Sequence, residues 1–364
     1  MPVESKVPPH LHGRFRRDPL LRLLRLGRDA VMWAEKYTHL PVPNDGPFPE
    51  FIEARVIERR GVTADGSVIA LTVQAANGSE LPAWFAGSHV DLRLPSGLVR
   101  QYSLCGNPAD RATYRIAVRH LADGRGGSAE VHRALTVGAV VRIGLPRNAF
   151  PLAIGGWAQQ LSAIRFIVGG IGITPILPML DILERAGIDW SMVYCGRSRA
   201  SLAFLDELER YGERVLVHTD DERGVATPEI LLGDLSGKPA VYTCGPAPMI
   251  DTLCAALASR PDIECHYERF APAPVVDGRE FEIHFARTGE VVTVAADQTA
   301  LSAILTARPD ATYSCQQGFC RSCAVRVLDG EVTHRSTSLS PTETEQGYFL
   351  PCVSRAESRL TVDM

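Results

Sequence analysis

The chain lacks any apolar run that approaches the 18 residues of a membrane span, and its start lacks the charged-then-apolar layout of a secretory signal. Nine cysteines in 364 residues are too few for a secreted disulfide scaffold, and five of the nine are scattered along the chain. These absences favour a cytoplasmic protein with no transmembrane segment.

Negative charge exceeds positive charge over most of the chain. The net charge is −4, but residues 1–28 carry +5, so the remainder carries −9. An acidic body is a poor surface for nucleic acid, and the sequence contains no nucleic-acid-binding motif. We therefore expect no nucleic-acid partner.

Four of the cysteines have the spacing of an iron–sulfur site. Cys315, Cys320 and Cys323 form a C-x4-C-x2-C run, and Cys352 follows after 28 intervening residues. In plant-type [2Fe–2S] sites, three thiolates converge from one loop and the fourth arrives from a distant segment. A structural zinc site favours paired C-x2-C knuckles or Cys/His mixtures, and no second knuckle is present. Unconnected buried thiols are the remaining alternative to a one-electron cluster.

The apolar pattern divides the rest of the chain into three parts. Residues 51–155 contain short alternating segments and turn signals, which predict an antiparallel β-barrel with one helix near Ser128–Leu135. Residues 160–272 alternate strands with helices, one of them over Leu202–Tyr211, which predicts a parallel α/β sheet. Residues 279–364 return to strands around the cysteine loop.

Residues 1–50 form an N-terminal extension outside these parts. Asp18 could cap a leucine-rich basic helix that runs to about Tyr37 and precedes a proline-rich linker. The leucine face could pack on the barrel, or the arginines could dock an acidic partner or contact an anionic membrane.

Two segments of the barrel region together predict a phosphate site. Arg100 opens the run Arg-Gln-Tyr-Ser-Leu, and residues 124–128 read Gly-Arg-Gly-Gly-Ser directly before the predicted helix. Glycines let backbone N–H groups approach an anion, and a helix N-terminus adds a favourable dipole. We expect Arg100 to supply charge and Ser128 to supply both a hydroxyl and an N-cap.

Two turns of the α/β region predict a second ligand site. An apolar strand runs into Gly169-Gly170-Ile171-Gly172-Ile173-Thr174-Pro175, and a later strand ends in Thr243-Cys244-Gly245-Pro246. The first turn does not match G-x-G-x-x-G, so it is not a standard dinucleotide fingerprint. Because both turns follow parallel strands, we expect them to meet at the carboxyl edge of the sheet and form a cleft.

These segments, in this order, resemble the ferredoxin–NADP reductase superfamily. The C-terminal cysteine motif narrows the resemblance, over about residues 51–364, to the phthalate dioxygenase reductase family, which includes the reductase halves of self-sufficient bacterial P450s. The resemblance implies a flavin-binding barrel, an NAD(P)-binding α/β domain and a β-grasp-like ferredoxin domain. It also implies FMN rather than FAD, because members with Arg-Gly-Gly-Ser bind the terminal phosphate there.

The resemblance also implies roles for individual residues. Thr174 and Cys244 would orient the nicotinamide against the flavin without transferring a proton, and Phe270 would lie against the flavin ring unless it is an ordinary core residue. The other residues expected to bind cofactors, from barrel to α/β domain, are Arg100, Gln101, Tyr102, Ser103, Ala117, Val118, Arg119, Gly126, Gly127, Ser128, Gly170, Ile171, Gly245 and Pro246.

Two details of this chain bear on specificity and potential. Arg197, Ser198 and Arg199 follow a strand where adenosine ribose is recognised, and such side chains suit the 2′-phosphate of NADPH, whereas NADH-using relatives often carry an acidic residue nearby. Relatives usually read C-G-x-C in the cysteine loop, whereas here Arg321 replaces the glycine. Its guanidinium could raise the cluster potential, or it could point into solvent toward a partner.

The combined prediction is a monomeric NAD(P)H-dependent reductase that passes electrons one at a time to a separate oxygenase, of the Rieske type or a cytochrome P450. The sequence shows neither a facial-triad signature nor a haem-thiolate motif of its own. Two alternatives remain: a stand-alone flavin reductase acting on small acceptors, and a non-catalytic redox sensor with a vestigial nucleotide site.

Overall fold

A computed structural model describes residues 51–122, 124, 126–154, 163–270, 275–313, 316–318, 321–336 and 338–364. All of them lie in one compact unit, Pro49–Met364. The predicted N-terminal helix and linker lie outside the described residues. Among the described residues, no helix has the length and apolar content of a membrane span.

The first described part is a closed antiparallel sheet. Its strands run in the order β4-β3-β6-β1-β2-β5, and the short β7 pairs with β3. A bridge between Leu104, just after β4, and Ile116 in β5 joins the two edges, so the sheet closes into the predicted barrel. The strands are β1 (Phe51–Gly61), β2 (Val68–Ala75), β3 (Ser88–Arg93), β4 (Val99–Ser103), β5 (Thr113–Arg119), β6 (Val140–Gly144) and β7 (Arg147–Asn148), with helix α1 (Gly127–Ala134) between β5 and β6.

The second part is a five-stranded parallel sheet in the order β10-β9-β8-β11-β12. The strands are β8 (Ala163–Gly169), β9 (Asp189–Gly196), β10 (Val215–Thr219), β11 (Ala240–Cys244) and β12 (Cys265–Glu268). The helices are α2 (Leu177–Ala186), α3 (Leu205–Leu208), α4 (Asp220–Arg223), α5 (Pro228–Leu232) and α6 (Ala247–Leu257). The chain order reverses beside β8, and such a reversal opens a crevice at the carboxyl ends of the strands.

Two local predictions for the α/β part need correction. The single helix predicted over Leu202–Tyr211 is wrong: α3 is short, and a 3-10 segment follows it over Glu209–Arg214. Phe204 takes a left-handed conformation with a fully buried ring, so packing overrides the helical pattern there. Strand β12 was not predicted, and it brings Glu268 beside Cys244.

The third part is a small mixed sheet with a helix packed on it. Its order is β14-β13-β19-β15-β17, with β13 and β19 parallel and the other pairs antiparallel, and β16 pairs with β18. The strands are β13 (Phe281–Phe285), β14 (Val291–Val294), β15 (Val325–Asp329), β16 (Val332–Thr333), β17 (Tyr348–Phe349), β18 (Arg355–Ala356) and β19 (Leu360–Val362). Helices α7 (Ala300–Ala307) and α8 (Pro341–Glu345) complete it, and α7 packs Ala300, Ala303 and Ile304 on the sheet core.

Candidate functional site

The two predicted turns of the parallel sheet meet and interlock. A Cβ atom placed on Gly172 would lie 2.2 Å from the carbonyl oxygen of Cys244, so only glycine permits this approach. Thr174 is buried, and its hydroxyl donates to the carbonyl of Ile171 at 3.0 Å. The two turns therefore meet at the carboxyl edge of the sheet, as the sequence predicts, and their backbones are in direct contact there.

A buried carboxyl group lies at this junction. Glu268 is adjacent to Cys244 in the β11–β12 register and is 8% exposed. Burial raises the pKa of Glu268 to about 8, although a hydrogen bond with Ser103 opposes the shift. Burial also raises the pKa of the Cys244 thiol well above its usual value, and the neighbouring Glu268 adds to the effect. Both groups therefore carry their protons at pH 7.

Ser103, Cys244 and Glu268 join the barrel to the parallel sheet. Ser103 ends β4 of the barrel, while Cys244 and Glu268 end strands of the sheet. Ser103 and Cys244 were both predicted as site residues, but Glu268 was not. Glu268 stands in the Glu-Arg-Phe run that ends in the predicted site residue Phe270, so the sequence offered a reason to consider it. The burial of Glu268 depends on β12, which the pattern did not predict.

The strand β5 and the first turn form another contact between barrel and sheet. Arg119, at the end of β5, lies against Gly170, whose carbonyl accepts a hydrogen bond from the Tyr194 hydroxyl at 3.0 Å. Ala117 packs in the core shared with the parallel sheet, whereas Val118 packs inside the barrel. Phe270 is 46% exposed, so it is not a core residue.

Arg100 and the glycines of the predicted phosphate site lie together at the start of α1, and one predicted capping role needs correction. The Arg100 side chain crosses the start of α1 so closely that a Cβ on Gly127 would lie 2.4 Å from its Nε. The N-cap is Gly126 in a left-handed conformation, so the predicted N-cap role of Ser128 is wrong. The Ser128 hydroxyl instead accepts a hydrogen bond from the backbone N–H of Leu121 at 3.1 Å. A guanidinium beside glycine N–H groups at a helix start suits a phosphate.

The residues of β4 divide between two faces, as alternation along a strand requires. Tyr102 packs against the barrel core, and burial raises the pKa of its hydroxyl to about 12. The Gln101 amide donates instead to Asp91 and to the backbone carbonyl of Tyr313. One strand therefore contacts both the phosphate cradle and the segment that leads into the cysteine loop.

The predicted ribose-recognition residues lie at the carboxyl edge, where β9 ends. Arg197 and Arg199 are exposed, and Ser198 caps a 3-10 turn over Arg199–Ser201. The N–H of Asp221, in α4, donates to the Arg197 carbonyl at 3.0 Å, so acidic side chains lie at the same edge. This edge therefore carries arginines, which suit a 2′-phosphate, and an acidic residue, which suits a ribose without that phosphate.

Two of the four predicted cluster ligands are described, and they lie together. Cys323 and Cys352 are buried in one small apolar cluster with Leu301 and Leu350. Cys315 and Cys320 lie outside the described residues. A buried pair of thiols beside a loop that carries two more suits a metal–sulfur cluster, because thiolates are the ligands such clusters require.

Arg321 keeps the backbone shape that glycine would have. Its φ is 64°, in the left-handed region that favours glycine. Its guanidinium pairs with Glu343, the residue that closes the capping box of α8 with Ser340. The Arg321 side chain is half-exposed as well as paired, and its effect on the cluster potential or on a partner stays a prediction.

These groups fit the cofactors that the sequence predicts. The buried Thr243 Oγ1 and Glu268 Oε2 at the junction have no hydrogen-bond partner among the described residues, so both remain able to bond a bound molecule. The arginine–glycine cradle suits a flavin phosphate, and the buried cysteines suit iron. The arrangement can hold a nucleotide, a flavin and a cluster within one unit.

Comparisons with known proteins agree with this geometry. Residues 283–357 match the 2Fe-2S iron-sulfur cluster binding domain family. The chain is 39% identical over 315 residues to the reductase subunit of the toluene-4-sulfonate monooxygenase system of Comamonas testosteroni, covering 84% of this chain and 96% of that protein. It is 38% identical over 321 residues to the vanillate O-demethylase oxidoreductase of a Pseudomonas species, covering 85% and 99%.

Solved structures show the same architecture. Phthalate dioxygenase reductase aligns with a TM-score of 0.64 at 28% identity, covering 86% of this chain and 98% of that one. An intact type IV self-sufficient cytochrome P450 monooxygenase aligns with a TM-score of 0.66 at 36% identity, covering 91% of this chain. This chain corresponds to 44% of that longer protein.

Proposed function

Because the chain belongs to the phthalate dioxygenase reductase family of oxygenase reductase subunits, we propose that it oxidises NADPH through FMN and passes single electrons through a [2Fe–2S] cluster to a separate terminal oxygenase. The observation that carries the proposal is the buried Ser103–Cys244–Glu268 group, which joins the barrel to the parallel sheet. Bound flavin accepts a hydride and can release its two electrons separately, which links a two-electron donor to a one-electron cluster.

In this proposal, the cleft residues position the nicotinamide. The junction of Gly172 with Cys244 fixes the floor of the pocket, and Thr174 orients the ring. Hydride transfer needs close, aligned reactants and no base, so rigid backbone contacts are suitable catalytic elements. Burial keeps Cys244 a neutral thiol, so it acts through shape.

Glu268 supplies a neutral hydrogen-bonding group. With a pKa of about 8 its carboxyl is protonated at pH 7, so it can donate as well as accept. A charged carboxylate would disfavour a negative charge on a reduced flavin bound nearby, whereas the neutral acid does not. Ser103 holds the carboxyl against the barrel.

The barrel residues hold the flavin. Arg100, Gly126, Gly127 and Ser128 bind its phosphate at the start of α1, which favours the short FMN. Tyr102 and the β5 segment around Arg119 would border the ring, and Phe270, which is exposed, would be free to lie against it.

Arg197, Ser198 and Arg199 favour NADPH over NADH. No ion pair involves either arginine among the described residues, so both guanidiniums can bind a 2′-phosphate. The nearby Asp221 is the feature that would favour NADH instead.

The cysteine part delivers the electrons. Cys315, Cys320, Cys323 and Cys352 ligate the cluster, and a terminal oxygenase or a cytochrome P450 receives its electrons. The proposed enzyme works as a cytoplasmic monomer, where reducing conditions keep its other thiols free.

Anaerobic titration with NADPH and with NADH, followed by absorption and EPR, tests the proposal. We expect a flavin band near 450 nm to bleach and a rhombic one-electron signal to follow, with NADPH binding more tightly. A bleached flavin without the EPR signal would support a stand-alone flavin reductase. An unbleached flavin with an intact cluster would support a redox sensor.

A further inference from the structure

The backbone carbonyl of Tyr313 is held by two side chains of the barrel. Gln101 donates to it from Nε2 at 2.7 Å, and Arg147 donates from Nη2 at 3.1 Å. These donors lie 212 and 166 residues away along the chain. They therefore join the barrel directly to the third part of the protein.

Asp91 orients both donors. Its Oδ1 accepts from Gln101 Nε2 at 3.1 Å and from Arg147 Nη2 at 2.7 Å. Asp91 and Gln101 are directly opposite each other in the β3–β4 register, and Arg147 lies in β7, which also pairs with β3. Because Asp91 is only 5% exposed, its charge needs this partner.

The carbonyl that is held lies at the entrance to the cysteine loop. Tyr313 is two residues before Cys315 in the sequence. Its side chain packs against the apolar cluster that contains Cys323 and Cys352. The two hydrogen bonds therefore hold the residue from which the cysteine loop starts, and not a distant edge of the domain.

The other end of the grip lies on the strand that borders the flavin site. Gln101 is between Arg100, which crosses the phosphate cradle, and Tyr102. A shift of β4 would therefore move the cradle and the cysteine loop together.

We propose that Asp91, Gln101 and Arg147 form a clamp on the Tyr313 carbonyl that fixes the cysteine loop against the flavin strand and thereby sets the rate of internal electron transfer. The proposal rests on the proposed function and identifies positioning residues for it. The clamp recognises a backbone carbonyl, so it constrains the course of the chain independently of the Tyr313 ring.

The test uses Arg147→Lys in the holoprotein. Lysine keeps a positive charge beside the buried Asp91, so folding is protected, but its side chain is one atom shorter and does not place a donor where Arg147 Nη2 bonds both acceptors. Asp91→Asn is the second variant, because it keeps the shape and weakens the orientation of the donors. Arg142→Met is the matched control, since the one ion pair of that barrel arginine among the described residues is an exposed pair with Glu53 at 3.8 Å.

The first measurement is anaerobic rapid mixing with NADPH. In Arg147→Lys we expect flavin reduction at the wild-type rate and a several-fold slower transfer from flavin to cluster, because electron transfer slows as the two centres move apart. The midpoint potential of the cluster should remain unchanged. Arg142→Met should match wild type in every step.

The second measurement is hydrogen–deuterium exchange of the peptide covering residues 308–318, which needs no turnover. Exchange should be faster in Arg147→Lys and Asp91→Asn, and unchanged in Arg142→Met. Internal transfer at the wild-type rate in Arg147→Lys, or unchanged exchange of this peptide in both clamp variants, would overturn the proposal. Failure of NADPH to reduce wild-type protein would contradict the proposed function instead, and the exchange experiment would still test the clamp.

Discussion

The nucleotide cleft and the cysteine loop are held in different ways. In the cleft, backbone touches backbone: Gly172 meets the Cys244 carbonyl with no room for a side chain. At the cysteine loop, side chains from elsewhere hold the chain, through the clamp on Tyr313 and the Arg321–Glu343 pair. A substitution at a backbone junction shifts the whole turn, whereas a substitution at a side-chain contact can remove one hydrogen bond or ion pair at a time. The positions of the two cofactors should therefore respond differently to mutation.

Removing the cluster ligands should separate the two regions most completely. Cys323→Ala and Cys352→Ala should abolish the cluster EPR signal and electron delivery to an oxygenase, because alanine offers no ligand in place of the thiolate. Reduction of a small dye by NADPH should remain, since the cleft is untouched. Cys254→Ser removes a half-buried thiol outside both regions and is the control. A persistent cluster signal in both ligand variants would contradict the assignment.

Gly172→Ala should damage the opposite region. The added Cβ would collide with the Cys244 carbonyl at 2.2 Å, so flavin reduction by NADPH should slow by about hundredfold. The cluster signal after chemical reduction should stay normal. Gly61→Ala is the control, because a Cβ there meets nothing within 4 Å. Wild-type flavin reduction in Gly172→Ala would show that the junction does not position the nucleotide.

The buried acid in the cleft predicts a pH dependence. The pKa of Glu268 is raised from 4.5 to about 8, so the folded protein binds its proton more tightly than the unfolded chain. The free energy of unfolding should therefore fall as the pH rises from about 4.5 to 8. Glu268→Gln should flatten this part of the stability curve, as measured by chemical denaturation at several pH values.

Glu268→Gln should also remove one feature of the pH dependence of flavin reduction. Wild-type flavin reduction should slow above about pH 8, as Glu268 loses its proton, whereas Glu268→Gln should stay within several-fold of the wild-type rate and lose that inflection. An inflection retained in Glu268→Gln would assign the titration to another group.

The smallest expected effect concerns Arg321. Glu343→Gln removes its partner and should shorten the lifetime of the cluster at most about fivefold, because a partly exposed ion pair contributes about 0–1 kcal/mol. Arg321→Gly, alone or combined with Glu343→Gln, should give a cluster lifetime equal to or longer than that of the wild type, since glycine takes a φ of 64° without strain. Loss of the cluster absorbance over time measures this. A shorter lifetime in Arg321→Gly alone would refute the account.

Features carried by local patterns could be predicted from the sequence. The strand periodicity gave the barrel and the parallel sheet, and the spacing of Cys315, Cys320, Cys323 and Cys352 gave the cluster motif. Glu268 was missed because its burial follows from a strand of only four residues. The clamp was missed because Gln101 and Arg147 meet Tyr313 only after the barrel closes. Long-range contacts of this kind leave no periodic signal.

In the proposed enzyme, electrons reach the cluster only after they have reduced the flavin. Rapid mixing with NADPH, followed by freeze-quench EPR, resolves the order of these two events. Flavin absorbance should fall first, and the cluster signal should then rise at the rate of a second, slower step. A cluster signal that appears before any flavin reduction, or that never appears while the flavin bleaches, would contradict it.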